Sequence, residues 1–241
     1  MRRTTLVRAC ALAAGLLALT AAPALGAIIE LGKTKSPVVK PVCPAGTTAG
    51  NCTIVLTEVT ALETLRDGAA YPTTVKQSGY IVAFTIGLAH LSSNPKQELQ
   101  FIHHQDTNYG GTTRAGIVVL QPVGPHRLFK WKVVAQSPII HLQPYLGQVA
   151  QFPLTTPLPV KAGQTIGLTV PTWAPVLTYQ LSTGMFAYRQ SRTSNCKNAF
   201  QGQPPATGAL NQILAYKCDY PGTRVEYSAT EITNPTPNKG G

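Results

Sequence analysis

Residues 79–90 read GYIVAFTIGLAH, and the apolar side chains recur at every second position. A period of two is the mark of a strand with one face in a core, whereas a helix repeats every 3.6 residues. The alternation predicts Tyr80, Val82, Phe84, Ile86 and Leu88 on the inner face, with Ile81, Ala83, Thr85 and Gly87 on the other. Residues 127–136, RLFKWKVVAQ, repeat the pattern, with Phe129, Trp131, Val133 and Ala135 set against Lys130, Lys132 and Gln136. In residues 224–232, RVEYSATEI, it predicts Val225, Tyr227 and Ala229 inside and Arg224, Glu226, Ser228 and Thr230 outside. Residues 53–62 and 116–122 are β-branched and strand-like. No stretch sustains an amphipathic helix of ten residues, and VTALETLRDG reads as a strand running into a turn at Asp67-Gly68. The chain's 21 glycines and 20 prolines fall mostly between the strand candidates. Many short strands punctuated in this way predict an all-β fold, a two-sheet antiparallel β-sandwich with jelly-roll-like connections.

The N-terminus predicts export. Arg2, Arg3 and Arg8 precede an apolar run over residues 9–22, and Ala24 and Gly26 supply small residues before a cleavage point. That is the pattern of a secretory signal peptide over residues 1–26. Residues 27–42 then read as an extended N-terminal arm, residues 43–233 as one β-sandwich domain and residues 234–241 as a flexible tail. Removing three signal arginines from 20 basic and 9 acidic residues leaves 17 against 9. The excess suits contact with anionic surfaces, although scattered charge of this size also serves plain solubility. No later segment is long and apolar enough to span a membrane.

Four cysteines follow the signal segment. An even count in an exported chain reads as two disulfides, and the short-range pairing, Cys43–Cys52 and Cys196–Cys218, is the expected one. No C-x-x-C occurs and no histidine lies near a cysteine, so no zinc site is expected. Asp67, Asp106 and Asp219 are too dispersed for a calcium loop. Nucleotide loops and a G-x-S-x-G elbow are missing from the sequence, and neither a metal nor a cofactor is expected.

Residues 157–171, PLPVKAGQTIGLTVP, place a turn at 160–164 between two strands, with Gly163 supplying the permissive dihedrals. Pro157 and Pro159 confine the first strand to an edge. Ile166, Leu168 and Val170 then point inward. Together with RLFKWKV, the signal peptide and the early cysteine pair, this stretch resembles a group of exported bacterial β-sandwich proteins without assigned activity. More weakly, it is similar to carbohydrate-binding jelly rolls and C1q/TNF-like domains. Gln164 stands where those families often carry Asp, which speaks against a charged site in the turn. The resemblance implies a fold and a compartment and carries no catalytic residues.

Aromatic side chains are what sugar-binding surfaces use. Trp131 shares parity with Phe129 and Val133 and belongs to the core. Trp173, flanked by Pro171 and Pro175, reads as a loop residue that either caps the core or stacks on a ligand. Tyr179, Tyr188 and Arg189 join it as ligand-binding candidates. The polar cluster FIHHQDTNYGG, residues 101–111, reads mainly as a strand end and a turn. It also carries an enzymatic alternative, a polysaccharide lyase or hydrolase using His103, Tyr109 and Arg114, with Gln100 nearby. His90 falls on the apolar parity of its strand and is expected to be partly buried, and His141 exposed. The basic residues lack the aromatic interleaving of a specific nucleic-acid binder. The leading expectation is a secreted, non-enzymatic β-sandwich that binds an anionic or neutral polysaccharide of the cell envelope, or serves a structural role there. An oligomeric protein-interaction module is the third possibility.

Overall fold

The period-two stretches form strands. A computed structural model describes residues 26–47, 52, 54–125, 129–196 and 202–234. Residues 1–25 of the expected signal peptide (1–26), His126 and residues 235–241 of the expected tail lie outside them. The chain opens with β1 (Ile28–Leu31), β2 (Leu56–Arg66), β3 (Ala69–Ala70) and β4 (Gly79–Gly87), and one helix, α1 (Pro95–Asn108), follows. Next come β5 (Arg114–Pro122), β6 (Lys130–Gln136), β7 (Ile140–His141), β8 (Val149–Val160), β9 (Thr165–Ala174) and β10 (Leu177–Thr178). Then follow β11 (Phe186–Gln190), β12 (Ile213–Ala215), β13 (Cys218–Pro221), β14 (Arg224–Val225) and β15 (Tyr227–Thr233).

A four-stranded sheet in the order β1-β15-β4-β8 packs against a nine-stranded sheet whose main path is β12-β6-β5-β9-β2-β11-β13. The chain moves back and forth between them, and every named ladder is antiparallel. Phe84, Ile86, Phe152 and Tyr227 from the small sheet meet Val59, Ile117, Leu168 and Val170 from the large one in a single apolar cluster. Trp131 is buried on the opposite face of the large sheet, edge-on to Tyr216 at 5.2 Å. Ile166, Leu168 and Val170 are wholly buried. β8 is an edge strand, which accommodates its prolines, and Gly163 sits in the following turn with φ 85°. Both disulfides pair as expected, Cys43 with Cys52 and Cys196 with Cys218. Among the described residues no helix is long and apolar enough to cross a membrane.

Four expectations need correcting. In β4 the register against β15 shifts between Ala83 and Ile81, where Val82 is one extra residue that flips the parity upstream of it. Ile81 is therefore buried, while Tyr80 is 48% exposed. Residues 95–108 form a helix and not a strand end. Asn94 caps it, its Oδ1 accepting from the Lys96 and Gln97 N–H groups at 3.0 and 3.3 Å, and Pro95 begins its first turn. The helix escaped the periodicity test because no residue of it is buried, so it carries no apolar stripe. His90 is exposed, with its Nδ1 3.0 Å from Glu98 Oε1.

The fourth correction concerns the polar face of residues 224–230. Arg224, Glu226 and Ser228 are buried, because the N-terminal arm crosses them. After β1 the chain turns at Gly32 and residues 33–39 form a strap. Thr34 Oγ1, Ser36 N and Ser36 Oγ all donate to the Asp67 carboxylate at 2.6–2.7 Å. Arg224 donates to Pro37 O, and Val39 N donates to Glu226 Oε2 at 3.1 Å. Gly87 makes room for it: a Cβ there would stand 1.8 Å from Val39 O. Beneath the strap lies a buried charge cluster. Arg66 Nη1 is 3.3 Å from Glu63 Oε2, and Arg224 Nη2 is 2.7 Å from Glu226 Oε2.

Glu231 on β15 is wholly buried, and among the described residues neither carboxylate oxygen has a hydrogen-bond partner. Burial raises its pKa above the ordinary value, so the folded state favours the neutral acid. Replacing it with methionine, of similar volume, is expected to stabilise the protein by about 1–3 kcal/mol at pH 7. A raised carboxyl pKa means stability present at low pH and lost as pH rises, so the gain from Glu231→Met shrinks as pH approaches 4. Urea denaturation of both proteins across pH 4–8 checks the sign; a gain that grows toward acid pH contradicts it.

Candidate functional site

The residues picked as aromatic platforms turn out to be foundations. Trp173 is in β9, not in a loop after it, and is 0% exposed. Its Nε1 donates to Asp106 Oδ1 at 2.9 Å and to Gly111 O at 3.1 Å, tying α1 to the large sheet. It packs in a small cluster with Ile54, Val55, Ala89, Tyr109 and Leu146, and half-buried Tyr179 leans on the same cluster. Tyr188 is buried and stacks on Tyr220, with ring centroids 4.6 Å apart. Arg189 lies 3.7 Å over the Phe129 ring and pairs with Asp219 at 3.1 Å. Trp173 and Tyr188, both 0% exposed, offer no open aromatic face for a sugar.

The enzymatic alternative is also dispersed. His103 and Gln100 are exposed on α1, Tyr109 is buried at its C-cap, and Arg114 is on β5, paired in register with His141 on β7. Tyr109 has its pKa raised by burial and by the neighbouring Glu58 charge, which leaves its hydroxyl a poor base near neutral pH.

An open groove lies elsewhere, just past the end of β11. It has a volume of about 490 Å³. Ser191 and Arg192 form one side, the turn from Thr193 to Asn195 and the segment from Gln203 to Ala206 form the walls, and Lys130 with β12 closes the other side. Each part is held from behind. Ser191 N donates to Thr60 O at 3.0 Å, and Ser191 Oγ accepts from Thr60 N at 2.8 Å. Lys217 N and Cys218 N both donate to Arg192 O, at 3.0 and 3.2 Å. The Cys196–Cys218 disulfide clamps the turn to β13. Gln190 Nε2 donates to the Tyr220 hydroxyl, which donates to Cys196 O.

The electrostatics are one-sided. Among the described residues, no acidic side chain lines the groove, whereas Lys130 and Arg192 both do. Arg192 is only 7% exposed; its Nη1 donates to Pro204 O at 2.8 Å, and its Nε has no hydrogen-bond partner among the described residues. Burial lowers the guanidinium's pKa, and the Glu58 carboxylate and Tyr220 work against that; an arginine stays charged regardless. Glu58 sits on a β2 bulge with φ 49°, and its carbonyl accepts from Ala206 N at 2.8 Å, which fixes the groove's far wall.

Sequence reasoning missed Arg192 and Lys130. The available signal was the polar run RQSRTSNC, residues 189–196, which brings two arginines and several hydroxyls up to a disulfide cysteine. Comparison with known protein families, characterised proteins and solved structures finds no match to this chain. The likeness to exported β-sandwich proteins therefore rests on residue pattern alone.

Proposed function

We propose that this chain is an exported, non-enzymatic β-sandwich that binds an anionic extracellular polymer, a polysaccharide bearing acidic groups, in the groove beside Arg192. The observation that carries this reading is the groove lined by two cations and no described acid. Its hydroxyls and amides, Thr193, Ser194, Asn195 and Gln203, suit the hydroxyls of a sugar chain. Two disulfides suit an oxidising compartment, and the excess of basic residues favours the same class of partner. A neutral glycan held by ring stacking on Trp173 or Tyr188 is disfavoured, because both rings are buried.

The test is retention of the mature protein, residues 27–241, on immobilised anionic and neutral polysaccharides. Binding is expected on the anionic matrices alone at 50 mM salt and is expected to weaken several-fold at 300 mM, since exposed charges are screened beyond about 10 Å. Lys130→Glu reverses one lining charge without touching the core and is expected to weaken binding about ten-fold. Equal retention of that variant, or no retention of the wild type on any anionic matrix, overturns the assignment.

A further inference from the structure

The groove is the open part of a seam, and the seam's direction says how a polymer lies in it, granted that the groove is the polymer site. β12 ends the main path of the large sheet and pairs with β6 on one side. Val133 N donates to Gln212 O, and Tyr216 N to Phe129 O, so Gln212 and Tyr216 turn main-chain groups toward β6. Such groups alternate in direction along an antiparallel strand, so those of Ile213, Ala215 and Lys217 turn away from β6. At Lys217 the seam is closed, because its N–H donates to Arg192 O at 3.0 Å. Ala215 and Ile213 line the groove, and there the same edge lies open. Lysines stand along it. Ala215 is opposite Lys130 and Ile213 opposite Lys132, and opposed residues of a ladder carry their side chains on one face. Lys130 lies one strand back yet lines the groove, past the small Ala215 side chain. Lys132 follows on the same face of β6, about 7 Å further along. Exposed Lys217 follows Ala215 by two residues the other way, so the three positions span about 13 Å of one strand edge. Asp219, the acid closest to Lys217 in sequence, is paired with Arg189 at 3.1 Å.

We infer that the groove takes a linear acidic polysaccharide lengthwise, parallel to β12. Its acidic groups fall in succession on Lys217, Lys130 and Lys132, and its hydroxyls meet the open main-chain edge of Ala215 and Ile213. Lys132 and Lys217 are thereby binding residues beyond the groove's own lining. A lysine ammonium is a point charge without directional demand, so the row sets no choice between carboxylate and sulfate. It rewards length: a single acidic sugar meets one cation, whereas a chain of several units meets all three. An extended peptide would pair with the same main-chain edge, but an uncharged one draws nothing from the lysines.

The experiment titrates the mature protein with polygalacturonate, and separately with dextran sulfate, at several salt concentrations between 50 and 300 mM. Each cation engaged by a flexible polyanion adds about 0.7 to the slope of log affinity against log salt, through release of counterions. Lys132→Gln and Lys217→Gln are each expected to reduce that slope by about 0.7 and to weaken binding about five-fold at 50 mM, with both polymers. Lys96→Gln, an exposed change on α1, is expected to alter neither quantity. Thermal melting of the two variants establishes that they fold. A slope unchanged in either variant, while Lys130→Glu still weakens binding, overturns the lengthwise path and leaves the groove reading standing. Displacement of the polymer by an uncharged Thr-Val repeat peptide assigns the edge to strand pairing and overturns the path too. A wild type that ignores salt, or that binds neither polymer, overturns both.

Discussion

Trp173→Ala is expected to cost about 3–5 kcal/mol of stability, the range for deleting a large buried aromatic side chain. The same change is expected to leave polymer binding at the Arg192 groove unaltered in whatever fraction stays folded. The indole fills the cluster of Ile54, Val55 and Tyr109 and is the main polar tie between α1 and β9. Its loss leaves a cavity and strands the Asp106 carboxylate. Trp173→Phe keeps most of the ring and removes the N–H, so a smaller loss, about 1–3 kcal/mol, is expected. Chemical denaturation alongside the binding titration separates the two roles. Unchanged stability with lost binding would return Trp173 to the ligand surface and refute its structural role.

Glu226→Ala is expected to be comparably severe, about 3–5 kcal/mol, because removing one partner of a buried ion pair leaves the other charge uncompensated. Glu226 does three things at once. It faces Arg224, accepts from Thr178 Oγ1 at 2.7 Å and holds the strap through Val39 N. Its loss is therefore expected to speed amide exchange over residues 33–39 before exchange in β9 changes. Lys35→Ala, an exposed change in the same strap, serves as the control and is expected to have little effect. Strap exchange that remains as slow as in the wild type would sink this account.

The strap also makes stability depend on pH in two opposed ways. Burial works against the charged form of Asp67, but the bonds from Thr34 and Ser36 outweigh it and hold the pKa down to about 2. A depressed carboxyl pKa stabilises the folded state above the unfolded value, and that contribution fades as pH falls from about 4 toward 2. Glu63 runs the other way. Burial pushes its pKa up to about 8 despite Arg66 and Arg224, so its contribution is present below about 4.5 and is lost as pH climbs through 8. Asp67→Asn is expected to flatten the acid limb of a pH–stability curve and leave the alkaline limb in place. An acid limb unchanged in that variant contradicts the assignment to Asp67.

Much of the architecture was legible from side-chain chemistry alone. Alternation located β4, β6, β9 and β15, since a half-buried strand imposes a period of two whatever its partners. Pro157 and Pro159 placed β8 at an edge because a proline has no N–H to give a central ladder. The cysteine pairing followed from loop length. These are local properties, written residue by residue. What only the tertiary structure decided is non-local. A bulge at Val82 moved Tyr80 to the surface, which depends on the register with β8 and β15. The arm buried Arg224 and Glu226 because a segment nearly two hundred residues away in sequence crosses them. Helix α1 was not read from the sequence at all, since it packs through Asp106 and Trp173 and has no apolar stripe. The groove itself is assembled from β6, β12, the end of β11 and residues 203–206. Its cations, Lys130 and Arg192, stand sixty-two positions apart in sequence and line one groove only because the large sheet folds them there. Attraction between charges depends on distance through space, and distance is what a linear sequence does not carry.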